Sequence, residues 1–331
     1  MKKNLLTFFI LFIFFLMFAL PSVTKQAASE GLQLWIFTVL PALLPYTIIS
    51  SLLLYLDAFR FPCRALEKIL KRKLPENEIL IVVCGYMCGC PIGTKLASDL
   101  YKKEKITRNT AELLMCACNN LSPSFLINYV FVMVYAPFVQ LTSFKKWALF
   151  IIIILSSLLG ALVTHCLYKK SQNSNLSIHN YNQSAVIQNY KFEPNTLTQK
   201  KPSISKFFED CILSAFEIQA KIGGYIILFT IVANLFLYTL NIPEIHAAIL
   251  GSILEVTSGL ELFLSCNNDV APLTSSLVPS LITALTSFGG ICTIFQTKTA
   301  ISGSGLSIKK YGLSKLMSGC LAFILSMLLI R

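Results

Sequence analysis

The stretch Gly85-Tyr86-Met87-Cys88-Gly89-Cys90-Pro91-Ile92-Gly93 interrupts an apolar run over residues 79–97 with glycine, proline and small side chains. A second break, Asn119-Asn120-Leu121-Ser122-Pro123, divides the run over 110–138. The other half of the chain repeats the pair, with Glu255-Val256-Thr257-Ser258-Gly259 inside 245–266 and Ser287-Phe288-Gly289-Gly290 inside 273–301. Hydrocarbon tolerates unwound backbone only where it is buried in protein or lines a cavity. Breaks at corresponding places in two halves therefore point to a transporter.

Composition agrees with that class. The chain has 331 residues, 55% hydrophobic and 13% charged, and a mean hydropathy of +0.67. No soluble core of this size needs so much apolar surface, so an all-α, polytopic membrane protein is expected. Uninterrupted spans read at 4–20, 34–56, 147–167, 223–240 and 312–330, each near the length that crosses a bilayer. The first follows Lys2-Lys3 and reads as a retained anchor, because its apolar run is long for a signal peptide and no small-x-small site follows directly. Cleavage near Ala27-Ala28 is the alternative.

The net charge of +12 sits in short loops beside apolar spans, where the positive-inside rule explains it without nucleic acid. With Lys2 and Lys3 in the cytoplasm, the basic groups of 60–73, 102–108, 169–206 and 298–315 fall there too, which makes 22 of 28. This bookkeeping requires 79–97 and 245–266 to be re-entrant hairpins entering from opposite sides. Two inverted-topology repeats follow, each with a full span, a re-entrant helical hairpin, a broken span and a closing span. Trp35-Ile36-Phe37-Thr38-Val39 echoes Ile227-Leu228-Phe229-Thr230-Ile231 in that register.

The expected organisation is an N-terminal transmembrane helix (1–22), a first repeat (31–168), a cytoplasmic linker (169–203) and a second repeat with a preceding interfacial helix (204–331). The linker is rich in Asn, Gln and Ser without helical period. After it, Phe207, Phe208, Ile212, Phe216 and Ile218 interleave with Lys206, Glu209, Asp210 and Glu217. That pattern suits a helix on the membrane surface or an interaction face for a partner protein.

The order of residues 31–56 with Pro41 and Pro45, Gly85-Tyr86, Pro91-Ile92-Gly93-Thr94-Lys95 and Cys118-Asn119-Asn120-Leu121-Ser122-Pro123 resembles the YlbJ (SpoVV) family of sporulation integral membrane proteins. The second-half breaks and Gln296 agree with it, and the resemblance covers about residues 30–325. Each half is similar to a Gate, or nucleoside-recognition, module. The resemblance implies a role in endospore formation, carrying dipicolinic acid across the outer, mother-cell-derived membrane around the forespore. Met87-Cys88-Gly89-Cys90 and the short linker depart from the family pattern.

A planar aromatic dianion needs positive potential, hydrogen-bond donors and an apolar or aromatic wall. Helices restarting after Pro91, Ser122-Pro123 and Gly289-Gly290 would aim free N–H groups and a partial positive charge at it. Lys95 lies just past the first hairpin break and is the candidate cation; the alternative is snorkelling to the interface near Asp99. Asn119, Asn120, Ser122, Thr257 and Ser287 are candidate donors, or glue between helices, and the family pattern adds Gly93 and Gln296. Tyr86 and Phe288 are candidate stacking rings, or ordinary core aromatics. Glu255 is expected either to carry a proton coupled to anion movement, or to pair with Lys95 or cap the hairpin turn.

Eleven cysteines, most of them in cytoplasmic or membrane segments, do not suggest a disulfide framework. Cys84, Cys88, Cys90, Cys116 and Cys118 invite a soft-metal site, but no histidine accompanies them, and His165, His179 and His246 are scattered. No nucleotide-binding fingerprint is present, and neither an enzyme nor a cofactor is expected. The expected partners are a small organic anion and the lipid bilayer, with a homo-oligomer or other spore membrane proteins as further associates. Three functions fit: an anion carrier working by alternating access, a Gate-type carrier of a nucleoside-like solute, and a membrane scaffold for spore-envelope assembly whose breaks are packed and dry.

Overall fold

The computed structural model describes residues 2–55, 63–65, 67–68, 75–136, 138–139, 141–174, 204–265 and 274–330. Among them every regular element is helical. The linker expected over 169–203 lies outside the described residues beyond Ser174.

Helix α1 (Lys2–Ala19) is followed by α2 (Pro21–Gln33), which runs through a π-helical stretch, Leu34–Val39, into α3 (Leu40–Tyr55). Pro41 and Pro45 bring no N–H of their own; just before them the Leu40 N–H reaches back to the Trp35 carbonyl, which widens the turn without ending the helix. A hairpin follows, α4 (Glu76–Cys88) and α5 (Ile92–Lys102). The broken span is α6 (Arg108–Ala117) and α7 (Pro123–Phe125), the latter continued by a π-helical stretch, Leu126–Val134, and α8 (Ser143–Ser174) closes the half. The second half has the same order: α9 (Ile204–Leu240), the hairpin α10 (Glu244–Leu254) and α11 (Val256–Ser265), the broken pair α12 (Thr274–Phe288) and α13 (Gly290–Ala300), and α14 (Ile308–Ile330).

Among the described residues, five stretches are long and apolar enough to cross a membrane: Pro21–Ile49, Ser143–Lys169, Phe208–Leu240, Ser276–Ala300 and Ile308–Ile330. The chain is a polytopic all-α membrane protein. Its helix boundaries differ from the sequence reading in two places. The opening helix begins at Pro21, not near residue 34, because nothing between Pro21 and Gln33 breaks a helix and its small residues Ala27 and Gly31 are buried. The stretch expected as a separate interfacial helix is continuous with the span after it. Gly223-Gly224 does not divide them, because Gly223 backs directly onto the Trp35 ring and its helix is held there.

The halves interlock. Helix α9 lies along α2 and α3, α14 lies along α8 and α12, α5 touches α13, and α11 touches the stretch after α7. One apolar core accordingly joins Val130, Phe131 and Val134 of the first half to Leu260, Phe263 and Ile282 of the second. Another joins Ile81, Leu96 and Met115 to Ile301, Leu306 and Tyr311. Each core thus contains a hairpin or broken span from one half packed on the other half.

The second hairpin closes on small residues. A Cβ at Gly259 would overlap the backbone of Ser252 and Gly251 on the facing helix. Gly259→Ala is expected to lower stability by about 2 kcal/mol or more, read as an earlier thermal transition in detergent. Gly224→Ala, where an added Cβ meets nothing within 4 Å, is expected to melt as the parent protein or slightly later. Equal melting of the two variants would rule out this packing.

Candidate functional site

In the first half the hairpin tip is tied to the broken span. Gly89, with φ 78°, ends α4 in a conformation that favours glycine. The Cys90 N–H then donates to the Asn120 carbonyl at 2.7 Å. Ser122 caps the restarting helix, its Oγ accepting from the Phe125 N–H at 3.2 Å with Pro123 in the first turn. The carbonyl of Ala117, freed where α6 ends, collects three donors: the Tyr86 hydroxyl at 3.0 Å, Asn120 Nδ2 at 3.0 Å and Ser157 Oγ at 2.8 Å.

The second half solves the same problem with a charge. Helix α10 stops at Glu255, whose backbone is extended and whose side chain is 2% exposed. Its Oε1 accepts from the Thr257 N–H at 3.1 Å, and its Oε2 accepts from the Thr257 hydroxyl and the Ser258 N–H, both at 2.6 Å. A carboxylate here meets both the orphan donors of α11 and the positive end of its dipole. Gly289 and Gly290, with φ 82° and 78°, bring the other break against this turn, Gly290 facing the Ser252 carbonyl and the Val256 nitrogen.

The two halves meet at Lys315 of α14, which is 2% exposed. Its Nζ donates to Asn120 Oδ1 at 2.7 Å and, more weakly, to the Ser287 carbonyl at 3.4 Å. One lysine thus touches the break of each broken span. Around it, Asn119 Nδ2 donates to Thr297 Oγ1 at 2.8 Å and to the Tyr311 hydroxyl at 2.9 Å, leaving Asn119 Oδ1 buried without a partner. Cys90 Sγ lies 3.8 Å from Gln296 Oε1, and Gln296 Nε2 lies 3.3 Å from Cys292 Sγ. Ser287 Oγ pairs with Ser156 Oγ at 3.2 Å. Among the described residues Lys315 has no carboxylate within ion-pair distance. A buried ammonium held only by neutral acceptors still carries a large desolvation cost, which an anion beside it would offset.

Of the sequence candidates, Asn119, Asn120, Ser287 and Gln296 come together in this cluster. Gly93, Ser122 and Tyr86 build the first break around it: Gly93 lies against the Cys118 carbonyl, and Tyr86 spends its hydroxyl on Ala117. Thr257 serves Glu255, and Gly289 and Gly290 form the second break. Lys95 is half-buried, makes none of the cluster's hydrogen bonds, and has Glu217 of α9 as a charged neighbour. The sequence reading grouped Lys315 with the basic loop at 298–315; the structure corrects this, since the residue lies inside the last span. Lys315, Tyr311 and Thr297 are the cluster members that sequence reasoning missed, and Cys90 was named there only as a candidate metal ligand. The available signal was a lysine among the small residues Ser314, Ser318 and Gly319 in an apolar run. Among the described residues no three His, Cys, Asp or Glu side chains gather in a metal-ligating group.

No family model matches the chain, and no solved structure matches it. It is similar to the Sporulation integral membrane protein YlbJ of Bacillus subtilis (strain 168), with 25% identity over 349 residues, covering 98% of this chain and 82% of the relative.

The cap geometry makes a prediction. Glu255→Ala removes the acceptor for two buried N–H groups and is expected to cost about 2 kcal/mol, while Glu255→Gln, keeping one acceptor, loses roughly half of that. Thermal unfolding in detergent checks both; a Glu255→Ala protein as stable as the parent would discard the capping role.

Proposed function

Given that the chain is a multi-pass membrane protein of the YlbJ sporulation family, we propose that it is a secondary carrier of a small organic anion. Dipicolinate is the proposed cargo, and the membrane around the forespore the proposed site of action. The observation that carries this reading is Lys315, a buried cation between the breaks of both halves whose partners among the described residues are neutral.

In the cargo-free protein the ammonium rests on Asn120 Oδ1 and the Ser287 carbonyl. A cargo carboxylate replaces those acceptors with a full charge in a low-dielectric surrounding, where the attraction is far stronger than in water. Helix α13 starts without a side-chain cap, so its N-terminal N–H groups are suited to a second carboxylate, whereas the Ile92 N–H at the start of α5 already donates to the Gly89 carbonyl at 3.0 Å. The N-terminus of α11 is likewise occupied, by Glu255. Asn119, Thr297 and Tyr311 supply further donors by exchanging their mutual hydrogen bonds for bonds to cargo. Rocking of one half against the other around this point then moves the cargo across, with no covalent step. Coupling to protons through Glu255 requires the cap to loosen when the carboxylate is neutralised, and loss of the pH dependence of uptake in Glu255→Gln is its expected mark.

One observation favours the scaffold reading. The breaks are tightly closed, with a Cβ at Gly85 or Gly93 falling 2.7 or 2.8 Å from the Cys118 carbonyl oxygen. A carrier in its occluded state has the same packing, so transport itself decides.

Uptake of labelled dipicolinate into liposomes holding the purified protein is expected to saturate, with a nucleoside control flat. Lys315→Met is expected to lower it at least tenfold, as loss of a buried charge partner does, and Lys95→Met by less than about twofold, as suits a partly solvated charge. Undiminished uptake in folded Lys315→Met protein would overturn the site assignment; no uptake of dipicolinate by folded parent protein would favour the scaffold.

A further inference from the structure

Two basic loops that the charge pattern assigns to one side of the membrane meet in the structure. Lys102 Nζ donates to the Ser302 carbonyl at 2.6 Å, and Arg108 Nη2 donates to the Gly305 carbonyl at 2.7 Å. Beneath them sits Glu112 of α6, 3% exposed. Its Oε1 accepts from Arg108 Nε and from the Ser307 N–H, each at 3.2 Å, and its Oε2 accepts from Lys310 Nζ. Glu112 therefore belongs to the first half while two of its three donors belong to the second. Ser307 immediately precedes α14, so the carboxylate also faces the positive end of that helix.

We infer that Glu112 is the hub of a latch that holds the two halves closed at this end, and that its release is coupled to the central cluster. The coupling follows from which helices carry the contacts. Helices α6 and α14 are joined at this end by Glu112 with Ser307 and Lys310, and up to two turns deeper by Asn119 and Asn120, which follow directly on the end of α6, with Tyr311 and Lys315. Packed helices move as rigid bodies between discrete arrangements. Neither joint can open widely while the other keeps its geometry. Arg108 is largely exposed, at 56%, and contributes little. Lys310, at 18%, and the Ser307 N–H are the contacts whose loss leaves a buried carboxylate unsatisfied. Lys310 is also held from the first half, lying 5.1 Å above the Tyr168 ring of α8.

The latch rests on the carrier reading only for what its opening is for. Its test contains no cargo, so the uptake assay can fail while the latch stands. Amide hydrogen exchange of the full-length protein in lipid nanodiscs is compared between the parent, Glu112→Gln and Lys310→Gln. Both variants are expected to exchange roughly tenfold faster over 301–310 and also over 117–122, with α10 as an unchanged reference. Faster exchange confined to 301–310, or no change in either segment, would overturn the coupled latch. Faster exchange in α10 as well would mean general loosening and would also overturn it. Lys310→Gln alters a partly exposed side chain and keeps the test decisive if Glu112→Gln does not fold.

Discussion

Backbone groups released by a helix break have no partner in hydrocarbon, and this constraint shapes the centre of the protein. Each of the four breaks finds partners inside the protein: the first hairpin tip through the Cys90 N–H on the Asn120 carbonyl, the first broken span through three donors on the Ala117 carbonyl and the Ser122 cap, the second hairpin through the Glu255 carboxylate, and the second broken span through the donor from Lys315 to the Ser287 carbonyl. Close contact between hairpin tip and broken span is the geometric consequence, since the donors for one break come from residues beside another.

The two halves share an order of elements but divide the electrostatic work unequally. The second half carries its own buried anion, Glu255, spent on a helix start. The first half has no equivalent charge at its hairpin tip and instead receives a cation, Lys315, from the last helix of the second half. Among the described residues the centre is therefore left with one positive group whose partners are an amide oxygen, a carbonyl and the face of the Tyr311 ring. Such an arrangement is costly when empty of anions and favourable when a carboxylate is present, which is why the same residue dominates both the energetics and the proposed chemistry. Glu112 at the end of the molecule is the reverse case, a buried anion whose donors come mostly from the opposite half.

The breaks themselves were legible in the sequence because they are local: glycine, proline and capping residues impose their conformations on their own neighbours. Asn119, Asn120, Ser287 and Gln296 were picked out with them. For Glu255 the sequence left proton carriage, pairing with Lys95 and capping of the hairpin turn open, and only the Thr257 and Ser258 donors showed the cap. Tyr86 was read as either a stacking ring or a core aromatic, and its hydroxyl holds the end of α6. The helix starts expected near residues 34 and 223 were misjudged because a change in composition was taken for a change in structure, whereas helix continuity depends on the absence of a breaker and on tertiary contacts such as Gly223 with Trp35.

The sequence by itself determined the membrane class, the paired breaks and most of the polar residues around them, all of which follow from local composition and periodicity. Which lysine becomes the buried cation was decided only by tertiary structure. Lys95 and Lys315 both stand near the polar end of an apolar segment, and either can snorkel or turn inward depending on how its helix is rotated. For α14 that rotation is set by close packing, with Gly160 of α8 against Ser314 and Ser318, and Gly319 against Ala284 and Phe288 of α12. These contacts turn the face bearing Ser314, Lys315 and Ser318 into the protein, and they lie between residues more than a hundred positions apart in the α8 case, beyond the reach of any local pattern.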